Sequence, residues 1–145
     1  MKSVVQYTDQ ARVVVDSEII GSIQKGYVVY CGIEQTDTDT HAQKMARKIA
    51  KLRIIPDENF KLNLDLSQVN GSILLISQFT LCADTESNRP SYSQAAPHDQ
   101  AIKILDIIKH ELEATYHLPV ATGKFGAHME VEYKNQGPIT IYLEI

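Results

Sequence analysis

The sequence predicts an α+β fold, a curved β-sheet or barrel-like layer with two helices on one side. Three observations lead there. Short apolar runs bounded by turn residues occur near both ends and in the middle of the chain. Two segments with helical periodicity are set among them. No repeat, low-complexity run or Pro/Gly/Ser-rich linker divides the 145 residues, so a single domain spanning 1–145 is expected.

The elements follow in order. Val4-Val5 and Val13-Val14-Val15 flank Thr8-Asp9-Gln10, which reads as a hairpin. Tyr27 to Ile33 is a nearly continuous apolar run after Gly26, and Ile73 to Ile76 is another. Runs of this length without alternation fit strands buried on both faces. Asn70-Gly71 supplies a turn just before the second run. Between the runs, Ala42, Met45, Ala46, Ile49 and Leu52 recur at helical spacing, while Lys44, Arg47, Lys48 and Lys51 face away. Thr38, Asp39 or Thr40 can cap this helix, and Pro56-Asp57 closes the region. Ala101, Ile104, Leu105, Ile108 and Leu112 form a second stripe, with Pro97 suited to the first helical position. The chain then returns to strand. Met129, Val131 and Tyr133 alternate with Glu130 and Glu132, and Ile139, Ile141, Leu143 and Ile145 alternate with Thr140, Tyr142 and Glu144. An apolar strand of this kind must pair with something or invite aggregation.

Composition narrows the function classes. Hydrophobic residues are 43% and charged residues 22%, values of an ordinary soluble domain. No stretch approaches the ~18 apolar residues of a membrane span. MKSVVQYTDQ lacks a signal-peptide pattern, so a cytoplasmic location and no membrane partner are expected. Cys31 and Cys82 are too few for a disulfide framework or a four-cysteine zinc site and read as small buried hydrophobes. His110-Glu111 invites comparison with H-E-x-x-H, but the next histidine is His117. Two helical turns separate that pair by roughly 10 Å, too far to share one zinc. No phosphate-binding loop or dinucleotide fingerprint occurs, so neither metal nor cofactor is expected. The net charge of -4 counts against a protein that coats DNA or RNA, yet leaves room for one that grips a few terminal nucleotides.

Chemistry has two candidate places. The apolar run Ile73–Ile76 leads straight into Ser77-Gln78-Phe79-Thr80. Ligands often bind beyond the carboxyl ends of strands, and the hydroxyls, the amide and the backbone N–H groups here could serve an oxyanion. On pattern alone, a strand-end turn with locally satisfied hydroxyls is the more common outcome. Gly137-Pro138 is the second place. It can be a simple turn with proline at the first residue of a strand.

Further motifs make the pattern specific. Ser77-Gln78-Phe79-Thr80-Leu81, then Ala83-Asp84-Thr85 and Arg89-Pro90-Ser91, resemble the first signature of D-aminoacyl-tRNA deacylases. Asn135-Gln136-Gly137-Pro138-Ile139-Thr140 resembles their second signature. Thr122-Gly123, Phe125-Gly126-Ala127 and Met129 resemble the segment before it, and Lys61, Asn63-Leu64, Ile19, Gly21 and Ile23 also fit. These motifs cover nearly the whole chain in the right order.

The resemblance implies a homodimeric hydrolase that cleaves the ester of D-aminoacyl-tRNA at its 3′ end, with sheets joined across the dimer. It implies that Gly137-Pro138 is cis, against an incidence of about 5–6% for X-Pro bonds, and enters the partner's site as a chiral gate. There its carbonyl groups would meet the substrate's α-amino group, and an L side chain would collide. Glycyl-tRNA would pass. Ser77, Gln78, Phe79 and Thr80 would form the pocket floor, and Phe125 and Met129 would contact the terminal adenine. An aminoacyl ester is already activated, so positioned water, the tRNA's own 2′-hydroxyl and backbone N–H groups suffice. Thr80 has no adjacent base in the motif, which favours a scaffold over a nucleophile.

One departure matters. The resemblance expects Gln-Arg-Val in the first strand, where the arginine holds the Gly-Pro segment, and this chain reads Gln6-Tyr7-Thr8. A tyrosine hydroxyl donates one hydrogen bond where arginine donates several. The departure keeps open a tRNA-end binding module without hydrolysis. Two further alternatives are the animal-type deacylase with a trans Gly-Pro, which removes an L-amino acid, and a purely structural dimer. The intact Ser77–Leu81 block favours the D-specific branch.

Overall fold

The computed structural model describes residues 1–145. Ten strands and two α-helices run in the order β1 (Lys2–Thr8), β2 (Ala11–Val15), β3 (Glu18–Ile23), β4 (Gly26–Gly32), α1 (Asp39–Ala50), β5 (Ile55–Pro56), β6 (Leu62–Leu64), β7 (Ser72–Ser77), α2 (His98–Ala114), β8 (Val120–Thr122), β9 (Glu130–Tyr133) and β10 (Thr140–Glu144). Single turns of 3₁₀-helix, Ser67–Val69 and Phe79–Cys82, flank β7. The fold class is α+β, as the sequence predicts.

Three layers result. A five-stranded mixed sheet, ordered β10-β1-β4-β7-β8, lies in the middle. The helices cover one face, and the three-stranded sheet β3-β2-β9 covers the other. The sheets remain open. β10 and β8 are edges of the central sheet, so the barrel-like closure expected from the sequence does not occur within the chain.

Strand alternation assigns each residue to a layer. Tyr27, Val29, Cys31, Ile73 and Leu75 join the core under the helices, whereas Val28, Leu74 and Ile76 join the core under the second sheet. This two-sided burial explains why both strands read as unbroken apolar runs. From α1, Ala42, Met45, Ala46 and Ile49 are fully buried, and from α2, Ile104, Ile108 and Leu112. Each large side chain among these contributes about 1.5–3 kcal/mol. Thr38 caps α1 by accepting from the His41 N–H at 3.4 Å. Pro97 sits one residue earlier than expected, at the cap of α2 rather than its first helical position.

The first hairpin expected from the sequence does not form. β1 pairs with β4 and β10, and β2 pairs with β3 and β9. Thr8-Asp9-Gln10 is indeed a turn, with the Thr8 hydroxyl donating to the Gln10 carbonyl at 2.7 Å. The turn carries the chain from one sheet to the other. Turn residues encode the reversal, not the partner of the strand that follows. Residues 134–139 make the reverse crossing, from β9 back to β10, so Gly137-Pro138 lies at a passage between sheets.

Candidate active site

β4 and β7 run parallel, with Cys31 opposite Ser77, so their carboxyl ends emerge together. The Gln78 N–H extends the pairing by donating to the Cys31 carbonyl at 2.9 Å. The chain then turns sharply. Gly32 permits that turn, because a Cβ there would lie 2.8 Å from Leu81 Cβ and 2.9 Å from Cys82 Sγ. The turn's own hydrogen bonds begin with the Leu81 N–H donating to the Gln78 carbonyl at 3.2 Å. The N–H groups of Phe79 and Thr80 precede it and have no acceptor within the turn.

A cavity of about 560 Å³ opens beside this turn. Ser77, Gln78, Phe79, Phe125 and Met129 line it, bringing together five of the predicted site residues. Thr80 stands at the exposed rim, where the Gln78 carboxamide donates to its hydroxyl. Phe79 is 56% exposed and meets Tyr92 edge to face at 5.0 Å. Phe125 is held by His98, whose ring lies perpendicular at 4.9 Å. The loop that follows is closed by a reciprocal backbone pair between Asp84 and Ser91, at 2.8 and 2.9 Å, which joins the second and third parts of the signature.

The cavity also contains residues that sequence reasoning missed. Tyr30, Leu105 and His128 line it. Tyr30 lies inside an apolar run, where nothing in the sequence distinguishes a core tyrosine from one that lines a cavity. Cys31 lines the cavity too, but burial pushes its thiol up to about 12. It is therefore protonated at neutral pH and a poor nucleophile.

Gly137 and Pro138 are not in this cavity. Both are exposed, their peptide bond is cis, and Gly137 has φ +110°, a region that favours glycine. Their place follows from the register. The Tyr7 carbonyl accepts from the Gln136 N–H at 2.8 Å, and Tyr7 lies opposite Tyr27, which lies opposite Ile73. The Gly-Pro segment therefore sits near the amino end of β7, whereas Ser77 is at its carboxyl end. The four residues from Ile73 to Ser77 are roughly 13 Å, and three strand spacings across the sheet are roughly 14 Å. Within one chain the two predicted halves of the site stand well over 15 Å apart.

Tyr7 does not use its hydroxyl on this segment. Odd residues of β1 point toward the helices, so its ring enters the main core and is 7% exposed. Its backbone does the holding, with the N–H donating to the Ile139 carbonyl at 3.4 Å alongside the Gln136 contact.

Comparison with known proteins places the chain in a family. A family model described as D-Tyr-tRNA(Tyr) deacylase matches residues 4–144. The chain is 43% identical over 146 residues to a D-aminoacyl-tRNA deacylase of Shewanella amazonensis, covering all of both chains. It is 46% identical over 145 residues to one of Staphylococcus aureus, covering 99% of this chain and 95% of the relative. A solved structure of a c-Myc DNA unwinding element binding protein superimposes with TM-score 0.93 at 38% identity, covering 100% of this chain and 99% of that one. A probable eukaryotic D-amino acid tRNA deacylase shares the fold, with TM-score 0.85 at 16% identity over 99% and 98% of the two chains. With a family model matching residues 4–144 and full-length relatives at 43–46% identity, the chain belongs to the D-aminoacyl-tRNA deacylase family, hydrolases of the ester bond in aminoacyl-tRNA.

Proposed function

We propose that the chain is a chiral proofreading enzyme of the cytoplasm, a homodimer whose single domain, residues 1–145, removes D-amino acids and glycine from the 3′ end of tRNA. The observation that carries this reading is the separation of cavity and Gly137-Pro138 within one chain. A gate at one end of a sheet can serve a pocket at the other only if a second copy supplies it. A two-fold arrangement satisfies both sites at once. β10 has an open edge, and the exposed Phe79 beside the cavity offers an apolar surface for the arriving segment.

The chemistry asks little of the protein. The terminal adenine rests against Phe125 and Met129, which aims the ester at Ser77–Thr80. Attack by water, assisted by the tRNA 2′-hydroxyl, creates an oxyanion that the N–H groups of Phe79 and Thr80 stabilise. The partner's gate presents the carbonyls of Gly137 and Pro138 to the α-ammonium. An L side chain meets backbone, which yields less than a side chain would, while glycine passes. Thr80 acts as scaffold through its contact with Gln78. No metal, cofactor or DNA takes part.

Incubation of the purified protein with D-aminoacyl-, L-aminoacyl- and glycyl-tRNA tests the reading, together with light scattering at micromolar concentration. The expected result is a dimer that hydrolyses the first and third and spares the second. Equal turnover of D and L substrates, or a monomer, would overturn it.

A further inference from the structure

The Tyr7 substitution leaves an unanswered physical question, because its ring points into the core and cannot brace the side of the Gly-Pro segment. The opposite face of β1 carries the answer. Gln6 points toward the second sheet and lies opposite Thr140 in the register of β1 and β10. Its amide Nε2 donates to Thr140 Oγ1 at 3.1 Å. With the Asn135 carboxamide oriented to satisfy its neighbours, the second proton of Gln6 Nε2 goes to Asn135 Oδ1 at 2.9 Å, and Asn135 Nδ2 donates to the Ile139 carbonyl at 2.9 Å. With Asn135 so oriented, the single Thr140 hydroxyl proton has two acceptors within reach, Asn135 Oδ1 at 3.0 Å and the Pro138 carbonyl at 3.2 Å.

Gln6 is itself held from the other side. The Tyr133 hydroxyl donates to Gln6 Oε1, and the Tyr30 hydroxyl donates to Tyr133 at 3.2 Å. Tyr30 lines the cavity described above. Burial, and then the bond to Tyr133, raise the Tyr30 phenol well above its ordinary range, so it remains a donor. The protons in Tyr30 → Tyr133 → Gln6 run one way, and the two protons of Gln6 Nε2 go on to Thr140 Oγ1 and Asn135 Oδ1. All the side chains but Thr140 are partly buried, where such a chain is stronger than in water.

We infer that Tyr133 and Gln6 are positioning residues for chiral selection, replacing from the opposite face of β1 the brace that position 7 does not provide. By holding Asn135 and Thr140 at the two ends of the segment, they fix the course of residues 135–140, and with it the Gly137-Pro138 carbonyls, without touching substrate. Tyr30 anchors the chain at the protomer's own cavity. The inference rests on the gate function proposed above.

The test is Tyr133→Phe, which removes one hydroxyl and keeps the ring. Two readouts are needed. The first is the ratio of L- to D-aminoacyl-tRNA turnover, expected to rise about two- to twelvefold, the worth of one hydrogen bond, with D turnover within about twofold of wild type. Ile104→Val, a core change under the helices, serves as control and leaves the ratio unchanged. The second readout is amide hydrogen exchange at Gln136 and Ile139 in the free protein. Their N–H groups donate to the Tyr7 and Gln136 carbonyls at 2.8 and 2.7 Å, and exchange is expected to quicken severalfold in Tyr133→Phe. Gln6→Ala should exceed Tyr133→Phe in both. An unchanged ratio with unchanged protection overturns the inference, as does a ratio that rises equally in the control. If the wild type turns over no D substrate, the gate function fails, and the exchange measurement still decides whether the brace exists.

Discussion

Thr80→Ala separates a scaffold from a nucleophile, and the structure supplies the magnitude. The Thr80 side chain is exposed at the rim, and its hydroxyl has one recorded partner, the Gln78 carboxamide. Removing it frees Gln78 to hydrogen-bond with solvent and leaves the N–H groups of Phe79 and Thr80 in place. The cost is that of one exposed hydrogen bond, about 0.5–1.5 kcal/mol. At 1.36 kcal/mol per tenfold in rate, this corresponds to a loss of about two- to twelvefold. Loss of a nucleophile would instead cost on the order of 10⁴-fold or more. Single-turnover hydrolysis of D-aminoacyl-tRNA at saturating enzyme measures the step itself. A loss beyond about a thousandfold in a protein that keeps its fold and its tRNA affinity would refute the scaffold argument and make Thr80 the attacking group.

Two other expectations follow from the packing of the site. Gly32→Ala forces its Cβ to 2.8 Å from Leu81 Cβ and 3.0 Å from the Gln78 carbonyl, so the 79–82 turn must shift. Turnover should fall at least tenfold while circular dichroism is unchanged, and wild-type turnover in this variant would show that the turn does not orient the oxyanion donors. Cys31 and Cys82 are both buried, and burial raises both thiols. Neither should react with iodoacetamide at pH 8 until denaturant unfolds the protein, and rapid labelling of the native state would contradict the assigned packing.

What the sequence makes legible depends on whether the signal is local. Both helices are readable because their caps and 3.6-residue stripes lie within the segments themselves. β7 is readable because two layers bury it, which leaves an unbroken apolar run. The pairing of β1 is not readable. Thr8-Asp9-Gln10 forms the expected turn, but the partners of β1 come from residues 26–32 and 140–144, far along the chain. β3 carries no alternation, since most of Glu18–Ile23 is exposed, and periodicity has nothing there to detect. The cavity follows the same division. Ser77–Phe79 stand out as polar and aromatic residues after a buried strand, and Phe125 and Met129 enter through resemblance. Tyr30 and the Gln6–Tyr133 contact depend on two sheets meeting, which no single segment records. The layer to which Tyr7 points follows from the period of two in β1, which sends odd residues toward the helices and keeps its hydroxyl off the Gly-Pro segment.

The central claim is that each working site takes its pocket from one chain and its gate from another. Subunit exchange tests it most directly. One chain carries Gly137→Ala, which places a Cβ 2.6 Å from Ile139 Cγ1 at φ +110° and damages the gate alone. The other carries Gln78→Ala with Met129→Ala, a pair whose own homodimer is first shown to lack turnover, and keeps its gate. L-aminoacyl-tRNA turnover by the first chain is followed as the second is added in excess, with heterodimers verified by native mass spectrometry. The account predicts that L turnover falls to the wild-type level, because each intact pocket then receives an intact Gly137-Pro138 from its partner. L turnover that stays constant while heterodimers accumulate would contradict it.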